Sequence, residues 1–181
     1  NTSGGYNNAI GYYALRSNTT GNYNKANGAT ALTNNTTGSY NVAIGASSLE
    51  QNTEGSNNLG IGNAALHVNL TGNDNVAIGT NAGQGVSISG ETTSYHNVSI
   101  GYDSMKLMVS GCNQNVSVGS LSLKELLTGG NNVCLGYQSG NVVTTGYNNV
   151  IIGHNSEPSG NNAENQIVIG KGAVGHGDNI A

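Results

Sequence analysis

The groups in this chain that could do chemistry are few: nine acidic residues, four histidines and two cysteines in 181 residues. Asp74, in Gly72-Asn73-Asp74-Asn75, suggests a calcium turn, but Asp103 and Asp178 are the only other aspartates. Calcium needs several oxygens, usually with carboxylates among them, so repeat-bound calcium is not expected. His67, His96, His154 and His176 have no carboxylate or cysteine at ligand spacing. The remaining metal reading would be one histidine repeated across copies of the chain. Paired carboxylates could hydrolyse a glycosidic bond, yet acids spread this thinly would have to meet between chains. No nucleophile elbow, phosphate loop or zinc motif is present. The expectation is therefore a protein without catalysis, cofactor or metal.

Charge and hydropathy exclude other classes. A net charge of −4 with five scattered basic residues gives no footprint for nucleic acid or an anionic membrane. No apolar run approaches the roughly 20 residues that span a bilayer, so membrane insertion is not expected. Only 35% of residues are hydrophobic and Trp and Phe are absent, which would fill a compact ball poorly. Charged residues, at 8%, are too scarce for the self-repulsion that keeps polar chains disordered.

Side chains this sparse need a scaffold that sets their spacing, and the scaffold is a repeat. Ten units align on Gly11, Gly28, Gly45, Gly62, Gly79, Gly101, Gly119, Gly136, Gly153 and Gly170. The interval is 17 residues, except for 22 between Gly79 and Gly101 and 18 between Gly101 and Gly119. Four before each Gly stand Asn7, Asn24, Asn41, Asn58, Asn75, Asn97, Asn115, Asn132 and Asn149, with Gln166 in the tenth unit. One before it stand Ile10, Ile44, Ile61, Ile78, Ile100, Val118, Leu135, Ile152 and Ile169, with Asn27 the polar exception. Three after it every unit has Ala or Ser, from Ala14 to Ala173.

Each unit reads as a short strand and a turn. In Asn41-Val42-Ala43-Ile44 the branched residues point one way and Asn and Ala the other, and Gly45 then permits the turn. The expected fold is all-β: a repetitive β-solenoid or β-roll of about 17-residue rungs, stacked about 4.8 Å apart. Stacking turns the Asn column into an amide ladder and the Ile column into an apolar ridge. Thin rungs without aromatic filling are marginal against backbone ordering of roughly 1–2 kcal/mol per residue. A homo-oligomer is therefore expected, most simply a parallel trimer, with one strand face filling the coil and the other packing against partner chains. Residues 1–163 form the shaft, and 164–181 read as an altered terminal repeat opening a further region.

The run from Tyr13 to Asn24 and the recurrent T-G-x-x-N-V-A-I-G resemble the repeats of viral and bacteriophage tail-fibre proteins, which commonly precede a self-cleaving chaperone domain. The V-A-I-G core is also similar to the head repeats of trimeric autotransporter adhesins. The resemblance implies a trimeric fibre displayed outside the cell or on a virion and used in host attachment. It supplies no catalytic residues.

Binding sites within the repeat are weighed against structural roles. The insertion between Gly79 and Gly101 must bulge from the stack, and its Glu91, Tyr95 and His96 suit a polar ligand such as a glycan; a tolerated surface loop is the alternative. Tyr12, Tyr102 and Tyr137 share a column, and Tyr6, Tyr23, Tyr40 and Tyr147 are expected to share another, as seam shields or as a sugar-stacking surface. Asn18, Asn34, Asn35, Asn69, Asn97 and Asn115 stand in N-x-S/T triplets, of which Asn97 and Asn115 belong to the ladder. Cys134 takes a small-residue position and Cys112 a different column, so no disulfide between them is expected. The functional expectation is a rigid fibre shaft in surface recognition, with a cell-surface glycan or protein as receptor. The alternatives are a bacterial adhesin head and an ice- or polysaccharide-binding solenoid, the latter weakened by the lack of a regular two-wide Thr array.

Overall fold

The computed structural model describes residues 2–86 and 93–178. Among these the elements are β1 (Asn8–Ile10), β2 (Lys25–Asn27), β3 (Val42–Ile44), β4 (Leu59–Ile61), β5 (Val76–Ile78), β6 (Val98–Ile100), β7 (Cys112–Asn113), β8 (Val116–Val118), β9 (Gly129–Gly130), β10 (Val133–Leu135), β11 (Val150–Ile152) and β12 (Ile167–Ile169), with no helix. The ten three-residue strands make one parallel sheet in chain order, and β7 and β9 pair in a small second sheet at another corner. The protein is a parallel β-solenoid with one rung per repeat.

Register follows the columns. Leu59 faces Val76, Gly60 faces Ala77 and Ile61 faces Ile78. The long interval does not disturb this, since Val76 pairs with Val98 and Ile78 with Ile100. With neighbouring rungs about 4.8 Å apart, the sheet is about 43 Å long.

The turns stack as closely as the strands. Leu49 N–H donates to Ala65 O at 2.9 Å and Gln51 N–H to His67 O at 3.0 Å, each toward the following rung. Gly45 shows why its column is invariant within the chain. It has φ +126°, and a Cβ there would stand 2.5 Å from the Gly62 carbonyl oxygen and 2.6 Å from its carbon. No other residue fits beneath the next rung.

Left-handed backbone is not confined to glycine. In the third rung Tyr40, Ser47 and Leu49 have φ of 59°, 56° and 51°, and the equivalent positions repeat this along the coil. Such residues cost about 1 kcal/mol or more each. Inter-rung hydrogen bonds such as Tyr40 N–H to Asn22 O, 2.9 Å, hold them in place.

The interior is narrow. Strand residues Ala26, Ala43 and Ala77 are buried against Leu15, Leu32, Leu49 and Leu66, four residues after their glycines. A second cluster holds Met105, Met108, Leu123, Leu126, Cys134, Val143, Ile151 and Val168. The small and amide-bearing strand positions therefore point inward, and the Val and Ile columns point outward.

Candidate functional site

Three features could carry function: the ladder, the outer strand face and the tyrosine columns. The ladder is continuous. Each Asn of the column accepts the backbone N–H of its counterpart in the next rung, as Asn41 Oδ1 does from Asn58 N at 3.0 Å and Asn149 Oδ1 from Gln166 N at 3.0 Å. Its amide donates across the coil to a corner carbonyl, Asn58 Nδ2 to Gly72 O at 2.8 Å and Asn132 Nδ2 to Gly146 O at 2.9 Å. From Asn58 onward the amides also meet directly, with Asn58 Nδ2 to Asn41 Oδ1 at 3.2 Å. Asn24 through Asn149 are buried, while Asn7 in the first rung is half-buried. These side chains are fully engaged as structure and leave nothing for a ligand.

Gln166 ends the ladder. Its longer side chain turns to Ser159 N, with Oε1 accepting at 2.9 Å, and to Asp178 Oδ1 at 2.9 Å. The Asp178 carboxylate also accepts from Glu164 N, and these bonds hold its pKa below the usual range. A cavity of about 220 Å³ opens beside this rung, lined by Gln166, Val168, Ala173, Val174 and His176 among others.

A second amide ladder was not anticipated. Asn18, Asn35, Asn52 and Asn69, seven after their glycines, are buried. Asn35 Nδ2 donates to Asn18 Oδ1 at 2.8 Å, Asn52 to Asn35 at 2.8 Å and Asn69 to Asn52 at 3.1 Å. Their shared spacing of 17 is the signal in the sequence, and it is masked by the N-x-S/T triplets in which Asn18, Asn35 and Asn69 also stand. Asn97 and Asn115 are buried as well, and Asn34 is half-buried, so five of the six triplets lie inside the coil.

The apolar column lies on the outer face. Ile10, Ile44, Val118 and Ile169 are exposed, and Ile61, Ile78, Ile100, Leu135 and Ile152 half-exposed. Beside it runs a parallel column of Val42, Leu59, Val76, Val98, Val116, Val133, Val150 and Ile167, two residues upstream in each strand. Together they form a flat strip two side chains wide and eight rungs long, on the order of 350 Å².

Of the candidate binding loop, the structure describes Tyr95 and His96. Glu91 lies outside the described residues. Tyr95 and His96 are regular rung positions rather than parts of a bulge: Tyr95 N donates to Asn113 Oδ1 at 2.9 Å, and His96 N donates to Asn73 O at 3.2 Å. The exposed His96 ring lies 3.5 Å from Asp74 Oδ2, and its centroid is 6.5 Å from that of Tyr95.

Tyr6, Tyr23 and Tyr40 stack, with centroids 4.8 and 4.9 Å apart and planes within 3° and 9°. Tyr147 does not join them. It stands six before its glycine, and Asn148, with φ 60°, holds the column position. Tyr12 packs on Tyr13 at 3.9 Å, and Tyr137 on His154 at 5.2 Å.

Among the described residues the closest approach to a reactive cluster is Thr30, Ser47, Glu50 and His67. Thr30 Oγ1 meets Glu50 Oε2 at 2.9 Å and Ser47 Oγ at 3.1 Å. His67, however, turns Nδ1 to the Ser47 carbonyl and Nε2 to Gln51, each at 3.3 Å, so no imidazole is set to take a hydroxyl proton. Both cysteines are free and buried. Burial pushes the Cys112 thiol up to about 12 and raises Cys134 further, so neither is a ready thiolate. Among the described residues no three His, Cys, Asp or Glu side chains gather as a metal site, and no helix is long and apolar enough to cross a membrane. No protein-family model, curated protein or solved structure matches the chain.

Proposed function

We propose that this chain is a rigid shaft segment of a homotrimeric fibre, displayed outside the cell or on a virion, whose work is structural and adhesive rather than catalytic. The observation that carries this reading is the inversion of the strands: amides and small residues fill the coil, and the large branched residues face out. A strip of this size matches the largest apolar patch of a typical soluble chain, a feature that often marks an interaction surface. Three chains placed parallel would each cover it with a neighbour's flank, with the coil axes aligned and the rungs in register. The sheet's length of about 43 Å and its stacked hydrogen bonds make a stiff rod, suited to holding a recognition surface away from its base and presenting it in several copies.

The ice-binding reading is weaker. Thr19, Thr36 and Thr53 donate their hydroxyls to the next rung at 2.9, 3.0 and 3.0 Å, so that column is occupied by internal bonds. A bacterial adhesin head is the remaining alternative, separated from this reading by what the rest of the gene product carries.

Sedimentation equilibrium tests the reading. The expected mass is three times the chain's 18.3 kDa, falling to a folded monomer when Ile61→Lys and Ile78→Lys charge the middle of the strip. A wild-type monomer across the micromolar range would defeat it.

A further inference from the structure

The outer strand face is not uniform, and its first two rungs are built differently from the other eight. Where later strands present Val and Ile, β1 presents Asn8 and Ile10, and β2 presents Lys25 and Asn27, all exposed. An exposed ammonium in the column of a self-association strip would oppose its own copies, so the apolar strip begins at Val42 and Ile44.

Beside this polar stretch runs the stack of Tyr6, Tyr23 and Tyr40, exposed by 81%, 45% and 58%. Farther along the column the positions are Asn57, Asp74, His96 and Gln114, and the aromatic ridge stops. Charge changes over the same interval. Arg16 and Lys25 are the only charged side chains before Glu50, and all nine acidic residues lie from Glu50 onward. Arg16 is itself held over the Tyr13 ring, 4.6 Å from its centroid.

We propose that the first three rungs form a binding surface for an anionic, carboxylate-bearing polysaccharide. Sugar rings present an apolar C–H face and a hydroxyl rim, which match the apolar ring and hydroxyl of tyrosine. The stack supplies a ridge of such groups parallel to the coil axis, Asn8 and Asn27 supply amides that donate and accept, and Lys25 pairs with a carboxylate. The acid-free end supplies attraction that the remaining, acidic coil would oppose. This deepens the attachment reading by giving it a ligand class, and it is tested without reference to oligomer mass.

The test is calorimetric titration of the folded chain with a polygalacturonate oligomer, its methyl ester and a single-stranded oligonucleotide. Saturable binding of the polygalacturonate is expected, about tenfold weaker for the uncharged ester and weaker as salt rises. Tyr23→Asn keeps the fold, because Asn57, Asn131 and Asn148 take this column with φ of 59°, 59° and 60°. It and Lys25→Gln should each weaken binding about tenfold, whereas Tyr137→Ala at the far end should not. No saturable binding, unchanged affinity in both N-terminal variants, or equal binding of the oligonucleotide would overturn the proposal. Circular dichroism melts of each variant separate lost binding from lost fold.

Discussion

The coil before Asn69 and the coil after Met105 carry the same sheet and the same Asn column, yet they fill the turn side with different chemistry. In the first region the position seven after the glycine holds the buried amides of Asn18, Asn35, Asn52 and Asn69. In the second it holds Met108, Leu126 and Val143. The corner carbonyls explain why both work. Gly55 O accepts from Asn41 Nδ2 at 2.7 Å and from Asn52 Nδ2 at 2.9 Å, using both lone pairs. Gly146 O accepts from Asn132 alone among the side-chain amides of its rung. The strand-side ladder is thus required everywhere, and the turn-side ladder duplicates it in one region.

The largest expected effect follows from that redundancy. Asn132→Ala strips Gly146 O of its amide and Asn149 N of its acceptor, both buried, and should cost about 4–5 kcal/mol. Asn58→Ala removes the equivalent bonds, but Asn69 Nδ2 still reaches Gly72 O at 2.9 Å, so its cost should be smaller by about 1–2 kcal/mol. Urea midpoints of the two variants check this, and equal losses would show that the second donor contributes nothing.

A second contrast concerns volume. Leu49 lies under Gly60, where a Cβ would meet Leu49 Cδ1 at 3.5 Å. The equivalent pair in the later region is reversed: Gly140 lies under Ile151, whose Cδ1 would stand 3.2 Å from a Cβ on Gly140. The large side chain has moved from turn to strand, and the space stays filled. Ile151→Ala should therefore cost about 3 kcal/mol. Adding Gly140→Leu should recover part of it: Gly140 at φ +64° already has the backbone that Leu49 adopts at φ 51°, while Cys134 Sγ, which would stand 2.7 Å from the new Cβ, has to shift. Thermal melts that show the double variant no better than the single would refute the exchange.

These contrasts also mark what the sequence could reveal. The strands, their register and the Asn ladder were legible because a fixed period of 17 leaves one way to superpose the rungs. The direction of the strand faces was not. Alternation shows that two faces differ, but the usual burial of large residues is inverted here, with Ala43 inside and Ile44 outside. The leucine column was hidden by its breaks at Gly83 and Gly140. Left-handed tyrosines and leucines could not be foreseen, since these types rarely adopt φ > 0; their cost is met only by neighbouring rungs that no single repeat displays. The insertion misled differently. Tyr95 and His96 group with Glu91 by their place between Gly79 and Gly101, yet both have rejoined the coil.

The smallest effect is the most discriminating. Asn52→Val inserts the residue of the later region, Val143, into the middle of the turn-side ladder. It removes the donor to Asn35 Oδ1 and the acceptor of Asn69 Nδ2, while Gly55 O keeps its bond from Asn41. One buried acceptor is left without its partner, a loss of about 2 kcal/mol. Replacing Asn18, Asn35, Asn52 and Asn69 together by Val removes every member of that ladder at once, and the corner carbonyls of Gly21, Gly38, Gly55 and Gly72 retain Asn7, Asn24, Asn41 and Asn58. No broken end then remains in the interior, so the fourfold variant should unfold within about 1 kcal/mol of the parent, above the single variant. If stability instead fell in proportion to the number of amides removed, the two regions would not be interchangeable solutions to one packing problem, and the first would depend on its second ladder as fully as on its first.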